Sequence, residues 1–312
     1  FQITQEYLGC STHLVYLAPL FSEVLESDTY AAGPGSEVSE VIDGSLHGHT
    51  LTGMAGVSNI GTERNWTGHL FGQANWYAFG RLAWNPRLTP AEIASEWIRM
   101  TITHDPDIEE VIAGIMLTSR ETAVNYMTPL GLHHIMAEGH HWGPGPWVDR
   151  GRPDWTSVYY HRADTFGIGF DRTRSGSDAV SQYFPPRDEI FNDPQRCPEN
   201  LLLWFHHLPW YHVMKSGRTL WDEMCLTYQE GVDTAEEYRL LWETLRGKVD
   251  EGQFEHVRQM LGIQAAEARW WKDACLLYYQ TFSRMPFPEG VEQPLHSLEY
   301  YRGLRFHYVP GI

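Results

Sequence analysis

The sequence predicts an α/β segment over residues 1–84 followed by a mainly helical domain over 85–312. Three observations carry that prediction. Phe1 and Ile3 alternate with Gln2 and Thr4, the period of a half-buried strand. A strand-then-helix order occurs twice before Trp84. Beyond Asn85, apolar residues recur at helical spacing in one segment after another.

The elements follow in order. The opening strand runs into Glu6 and is broken by Gly9, so a carboxylate stands where a strand gives way to a loop. Barrels of the α/β type keep their catalytic groups at such positions. A helix is predicted over 19–25, with Pro19 in its first turn. Residues 31–48 are rich in Gly and Ser and are expected to be an exposed loop. The apolar run 51–57 reads as a short buried parallel strand, and 73–84 as a helix whose inward face is Trp76, Phe79, Leu82 and Ala83. Two strand–helix units fit the last quarter of a (β/α)8 TIM barrel, although the spacing supports other α/β folds equally. A barrel strand at 1–4 needs a hydrogen-bonding neighbour earlier in the chain. The chain is therefore expected to be the C-terminal part of a larger enzyme.

The helical domain opens with Thr89-Pro-Ala-Glu92, a capping box with proline at the first helical position. Its helix is expected to bury Ile93, Trp97 and Met100. Ile108, Val111, Ile112 and Ile115 mark a second helix, and 118–127 a third. Residues 139–157 and 167–198 are Gly/Pro-rich and read as irregular, with Gly143-Pro-Gly-Pro146 as punctuation. Helices return at 201–207 and 218–228. Tyr238, Leu241, Trp242, Leu245 and Val249 form one stripe, and Val257, Leu261, Ala268, Trp271, Cys275 and Tyr278 another. No periodicity marks the tail after Pro286, and no internal repeat is visible.

Composition narrows the function. The 312 residues are 42% hydrophobic, enough for a large core, and carry a net charge of −17. That charge argues against a nucleic-acid footprint and against an anionic membrane surface. No apolar run approaches the eighteen or so residues that a membrane helix needs. Four widely spaced cysteines without a CxxC pair read as buried thiols rather than a disulfide framework. Thirteen tryptophans are more than usual; most belong to the core, and some lie in loops where flat rings can stack on sugars.

Among chemical constellations, the doublets His133-His134, His140-His141 and His206-His207 come first. Adjacent residues on a helix point about 100° apart and do not chelate one ion, and no HExxH is present. A histidine-rich metalloprotein is the weakest of the readings. A GxSxG elbow and a GxGxxG fingerprint are both missing. Carboxylates remain. Glycoside hydrolysis needs two, one to protonate the leaving oxygen and one to activate water or attack. Glu6 fits one role by position. Asp154, Asp164 and Asp171 read as carboxylates that brace loops. Trp147 and Trp155 lie in loop segments and either stack on a sugar or pack onto the body.

The runs Ile3-Thr-Gln-Glu-Tyr-Leu-Gly9, Asn65-Trp-Thr-Gly-His69 and 73–84 resemble glycoside hydrolase family 67, the xylan α-glucuronidases. So do Asn125-Tyr-Met-Thr-Pro-Leu-Gly-Leu-His-His-Ile-Met-Ala137, Gly143-Pro-Gly-Pro-Trp147, 155–171, 201–207 and 215–223. The resemblance implies the last strand–helix units of a catalytic (β/α)8 barrel over 1–84 and an all-helical C-terminal domain over 85–312. It implies an inverting enzyme without metal or cofactor. The substrate would be a xylo-oligosaccharide whose terminal non-reducing xylose carries α-1,2-linked (4-O-methyl)glucuronic acid. Glu6 matches one of two carboxylates on the general-base side, and Trp155 a tryptophan packed near the 4-O-methyl group. The general acid, the second base-side carboxylate and the basic residues that hold the uronate lie earlier in the family's chain. This stretch alone is therefore not expected to turn over substrate. The resemblance further implies a homodimer through the helical domain and no nucleic acid or membrane partner; the compartment stays unknown, with a cytoplasmic or cell-associated enzyme favoured over a freely secreted one. The alternative is a non-catalytic helical module for carbohydrate binding or dimerisation.

Overall fold

The structure is a computed structural model and describes residues 1–4, 8–10, 12–58, 65, 67–137, 143–152 and 156–305. These residues are mainly helical, with one small three-stranded sheet. They form two compact units. The first takes in Phe1–Glu121 and Ala235–Ala265, the second Thr122–Thr234 and Ala266–Val309.

In the first unit, 1–4 meets the 51–57 run in parallel through a single bridge, Gln2 to Val57. Ile3 N–H donates to Val57 O at 2.8 Å and Val57 N–H to Phe1 O at 2.9 Å. The expected burial of 51–57 is not found: Leu51 is 94% and Val57 71% exposed. A parallel strand is buried only when neighbours cover both its faces, and among the described residues the run makes just one parallel bridge, to 1–4. Helix α1 (Ala18–Glu26) forms as expected, with Pro19 in its first turn. The expected loop 31–48 contains a short helix, α2 (Val38–Asp43), started by a capping box between Glu37 and Glu40 and stopped by Gly44 at φ +83°.

Helix α3 (Gly72–Trp84) turns a different face inward from the one its large residues suggest. Ala74, Asn75, Ala78 and Leu82 are buried, whereas Trp76 and Ala83 are exposed. Small residues let α3 approach the chain at 14–17, which large rings would hold away. Those four residues form no helix or strand and are buried, and their backbone is satisfied by side chains. Gln264 Oε1 accepts from Leu14 N–H at 2.9 Å, Ser119 Oγ from Tyr16 N–H at 2.9 Å, and Asn75 Oδ1 from Leu17 N–H at 2.8 Å. Asn75 Nδ2 also donates to Val15 O at 2.9 Å. Phe1, Phe21 and Phe79 cluster with centroids 4.9–6.3 Å apart.

Helix α4 (Pro90–Thr101) has both hydrogen bonds of its capping box and buries Ile93, Ala94, Trp97 and Ile98. Met100 is exposed, because Ile98 takes the inward position. The two helices expected over 108–127 are one, α5 (Pro106–Met127). The polar residues at its middle make tertiary bonds rather than a break: Ser119 holds Tyr16, and Thr118 Oγ1 accepts from Tyr238 OH at 2.6 Å.

In the second unit, the short α6 (Ser157–Tyr160) leads into strand β1 (Arg162–Ala163), which pairs antiparallel with β2 (Gly167–Gly169). Helices α7 (Arg187–Asn192) and α8 (Leu202–Phe205) precede β3 (His207–Pro209), which completes the sheet in the order β1-β2-β3. The irregular stretch expected at 167–198 and the helix expected at 201–207 are corrected accordingly. A Cβ on Gly167 would lie 1.7 Å from Leu208 O, so the sheet requires glycine there. The helix expected at 218–228 and the first part of the 238–249 stripe are one helix, α9 (Leu220–Glu243), with Leu245 and Val249 beyond its end, and α10 (Glu251–Ser283) spans the last stripe. The tail carries α11 (Leu298–Gly303), capped by Ser297. The unit boundary falls inside α5, α9 and α10. All four cysteines are buried thiols, and no helix among the described residues is long and apolar enough to cross a membrane.

Lys272 and Asp273 on α10 are both fully buried. Lys272 Nζ donates to Gln229 Oε1 at 2.8 Å and Glu292 O at 3.1 Å, and lies 3.5 Å from Asp273 Oδ1. Asp273 Oδ2 accepts from Leu295 N–H and Tyr301 OH. These bonds fasten 292–301 to α10.

Replacing Asn75 with Leu removes two hydrogen bonds from the buried 14–17 peptide. Leaving such groups unmade costs about 1–3 kcal/mol each, so Asn75→Leu is expected to destabilise by about 3 kcal/mol, measured as a fall in the urea midpoint at constant m-value. A loss under about 1 kcal/mol would mean that other groups take over the role.

Candidate functional site

Glu6 and Trp155, the two expected site residues, both lie outside the described residues, as does the His140-His141 doublet. The structure describes what flanks them, in one unit for Glu6 and in the other for Trp155.

Three residues after Glu6, the chain turns sharply at Gly9, which has φ +85°. The Gly9 carbonyl accepts from Thr12 N–H at 2.9 Å, Thr12 Oγ1 at 2.8 Å and His13 N–H at 3.1 Å. A Cβ on Gly9 would lie 2.4 Å from His13 Cβ, so the turn needs glycine for both space and conformation. The 14–17 peptide follows at once. A carboxylate just before this turn would be carried on backbone that is held at its far side, which is how a fold keeps a reacting group in place.

Beside α3, Asn65 Nδ2 donates to Gly68 O at 3.1 Å, and Gln73 Nε2 donates to Asn65 Oδ1 at 3.2 Å. His69 is fully buried, and its Nδ1 accepts from Phe71 N–H at 3.2 Å. Among the described residues its Nε2 has no hydrogen-bond partner. The His256 ring stands 5.7 Å away and accepts from Leu70 N–H. Burial, and then the neighbouring His256 and His13, push the His69 pKa down to about 3. His69 is therefore neutral at pH 7.

In the second unit, the Gly143-Pro-Gly-Pro146 run folds back on 135–137. Ala137 N–H donates to Gly143 O and Gly145 N–H to Ile135 O. Ser157, two residues after Trp155, donates to Gly145 O at 2.7 Å. Trp147 packs edge-on against Tyr278 at 6.2 Å, with Arg302 5.5 Å from its ring, so it belongs to the body of the unit. Asp164 and Asp171 brace their loops. Asp164 accepts from the N–H groups of Phe166 and Gly167, and Asp171 from Thr173 and Ser175.

Next to α6 lies a group that sequence reasoning did not pick out. Arg172 is only 8% exposed, and among the described residues no carboxylate pairs with it. Its Nη1 donates to Tyr160 O at 3.0 Å and Trp204 O at 2.7 Å. Its guanidinium lies 3.9 Å from the Trp204 ring centroid and 4.6 Å from that of Phe170. His133 stands edge-on to Tyr160 at 5.2 Å and to Trp204 at 5.7 Å. Tyr160, Phe170, Trp204 and His133 fall in the runs quoted above, whereas Arg172 lies just beyond the 155–171 run. His161 is 1% exposed, and among the described residues neither ring nitrogen is hydrogen-bonded. Burial, then Arg172 and His134, push its pKa down to about 3. Among the described residues, no group of three or more His, Cys, Asp or Glu is placed to hold a metal ion.

Comparison with known proteins agrees with the resemblance. The model of the glycosyl hydrolase family 67 middle domain matches residues 1–66, and that of the family 67 C-terminus matches 67–292. The chain is 38% identical over 294 residues to alpha-glucuronidase A of Emericella nidulans, covering 93% of this chain and 34% of that protein. It is 36% identical over 286 residues to a probable alpha-glucuronidase A of Aspergillus clavatus, covering 90% and 34%. With alpha-glucuronidase A of Aspergillus tubingensis the identity is 34% over 293 residues, covering 93% and 34%. The chain thus spans about a third of the length of the curated relatives it matches.

A histidine whose pKa is lowered on folding binds its proton more readily in the unfolded chain. Between about pH 6.5 and pH 3 the unfolded state holds more protons, so stability falls as pH falls through that window. From pH 6.5 to 5, the buried neutral His161 is expected to cost about 2 kcal/mol at about 1.4 kcal/mol per pH unit. His161→Phe should lose that much less than the parent when urea unfolding at pH 7 and pH 5 is compared. Equal losses in the two proteins would mean that His161 takes up its proton in the fold.

Proposed function

Because the chain belongs to glycoside hydrolase family 67, we propose that it is part of an inverting α-glucuronidase. The complete enzyme removes (4-O-methyl)glucuronic acid α-1,2-linked to the terminal xylose of xylo-oligosaccharides, as a step in xylan degradation. One observation carries this reading: two domains of a single family match end to end from residue 1 to 292, with 34–38% identity to relatives named alpha-glucuronidase A. No observation favours a non-catalytic module.

In this reading, 1–84 supplies the last strand–helix units of the (β/α)8 barrel and 85–312 the helical C-terminal domain. The parallel bridge between Gln2 and Val57 supports that assignment. So does the exposure of Leu51 and Val57, which a further barrel element would cover. Glu6 acts on the base side. An inverting site holds its acid and base about 6.5–9.5 Å apart, leaving room for the attacking water. The base must be ionised while the acid is protonated, so their surroundings must differ. Glu6 as carboxylate takes the proton from water as the oxygen attacks the anomeric carbon. The acid protonates the departing xylose oxygen, and no glycosyl-enzyme forms. That acid and the second base-side carboxylate come from parts of the enzyme outside these 312 residues, which on their own do not hydrolyse substrate. Trp155 lies against the 4-O-methyl group. The chemistry needs neither metal nor cofactor, and the enzyme assembles as a homodimer through its helical domain.

Glu6→Gln in the complete enzyme is expected to lower kcat about a thousandfold on aldouronic acids, on the scale of a positioned proton transfer. A tenfold effect or less would remove Glu6 from the base role. Sedimentation equilibrium of the same enzyme is expected to give twice the protomer mass, and a monomer would rule out the dimer.

A further inference from the structure

The buried cation at Arg172 and the rings around it have no assigned role. A guanidinium taken out of water with no carboxylate beside it is costly unless carbonyls and aromatic faces replace the solvent. Here they do: two backbone carbonyls accept from Nη1, and the rings of Trp204 and Phe170 lie against the guanidinium. The carbonyls belong to Tyr160 and Trp204, the residues whose rings stack at 6.2 Å with an interplanar angle of 25°. Arg172 thus ties together, at backbone and ring, two residues far apart in the chain.

The result is a fixed aromatic surface. Trp204 is partly buried over Arg172, and His133, an exposed residue, sets its ring edge-on to it. Tyr159, next to Tyr160, is 49% exposed. Rings brought together only for packing would be covered, yet this group keeps ring area in contact with solvent.

We propose that the His133–Tyr160–Trp204 surface binds xylopyranose rings of the xylo-oligosaccharide backbone, with Arg172 as its positioning residue. The ligand class rests on the family 67 reading above. A xylopyranose has no exocyclic group, so its two faces are flat and mostly C–H, while its hydroxyls lie at the edge. The faces suit an indole or phenol plane, and the hydroxyl edge suits a polar neighbour such as His133. A uronate carboxylate fits less well: it needs open donors, and Arg172 is nearly buried with Nη1 already bonded.

The test uses the complete enzyme titrated separately with linear xylotetraose and with glucuronic acid. Trp204→Ala and His133→Ala are each expected to weaken xylotetraose binding about tenfold, which corresponds to about 1.4 kcal/mol, and to leave glucuronic acid affinity within about twofold. On aldouronic acids the loss should fall in KM, with kcat nearly unchanged. Arg172→Lys should not restore the xylotetraose affinity lost in Arg172→Ala, because an ammonium cannot lie flat under the indole. Unchanged xylotetraose affinity in His133→Ala and Trp204→Ala would overturn the proposal, as would a parallel loss of glucuronic acid. If Trp204→Ala does not fold, the exposed His133→Ala decides alone. Parent enzyme that binds xylotetraose but neither binds nor releases glucuronic acid would sink the family activity and leave the xylose surface standing.

Discussion

The first unit depends on how a buried, irregular peptide at 14–17 is satisfied with neither helix nor sheet to pair it. A buried N–H or C=O left unpaired costs about as much as a hydrogen bond is worth, so each must find a partner. Gln264, Ser119 and Asn75 provide them from α10, α5 and α3. The rest of the unit follows from that demand. Helix α3 must come close, so its inward face is Ala74, Asn75 and Ala78, and its tryptophan at 76 is left outside. A serine in the middle of α5 and a glutamine in the apolar stripe of α10 are not defects of those helices. Both point a short polar group at a peptide that would otherwise have none.

The second unit solves a similar problem with charges. Its Lys272–Asp273 pair and its Arg172 are buried, and burial alone would make each strongly unfavourable. Each cation is met mainly by neutral acceptors: Gln229 and the Glu292 carbonyl for Lys272, the Tyr160 and Trp204 carbonyls for Arg172. Such groups add little net stability compared with apolar packing. What they supply is geometry, because a misplaced chain would strand a charge. Lys272 and Asp273 fix the course of 292–301, and Arg172 fixes two aromatic residues from different short helices, α6 and α8. Desolvation lowers the pKa of Lys272, and the facing Asp273 works against that fall.

How much of this was legible in the sequence depended on the kind of signal. The capping box at Thr89 and the long stripe of α10 were readable, because caps and 3.6-residue periodicity are local. The inward face of α3 was misread, because the preference for large apolar residues gave way to the needs of a peptide sixty residues away. The three-stranded sheet was invisible: its strands are two or three residues long, and two of the three residues in β2 are glycines. Breaks were read into α5 and α9 where polar residues serve tertiary contacts. Arg172 carried no signal at all, since only the fold reveals that it is buried. Glu6 was picked out by its place after a strand, and its role and that of Trp155 came from resemblance; both residues lie outside the described part of the chain.

The same buried peptide bears on what the helical domain is for. Residues 14–17 lie in the stretch matched by the family's middle domain, whereas Asn75, Ser119 and Gln264 lie in the stretch matched by its C-terminus. The turn that follows Glu6 is thus anchored by side chains from the other family domain, all within one compact unit. A module that merely bound sugar or a second copy would have no reason to complete its neighbour's backbone hydrogen bonds. Removing residues 85–312 would leave the Leu14 and Tyr16 N–H groups without the acceptors they have here, next to the turn at Gly9. If Glu6 is the base, the helical domain belongs to the catalytic machinery through that anchorage, before any contact it makes with substrate.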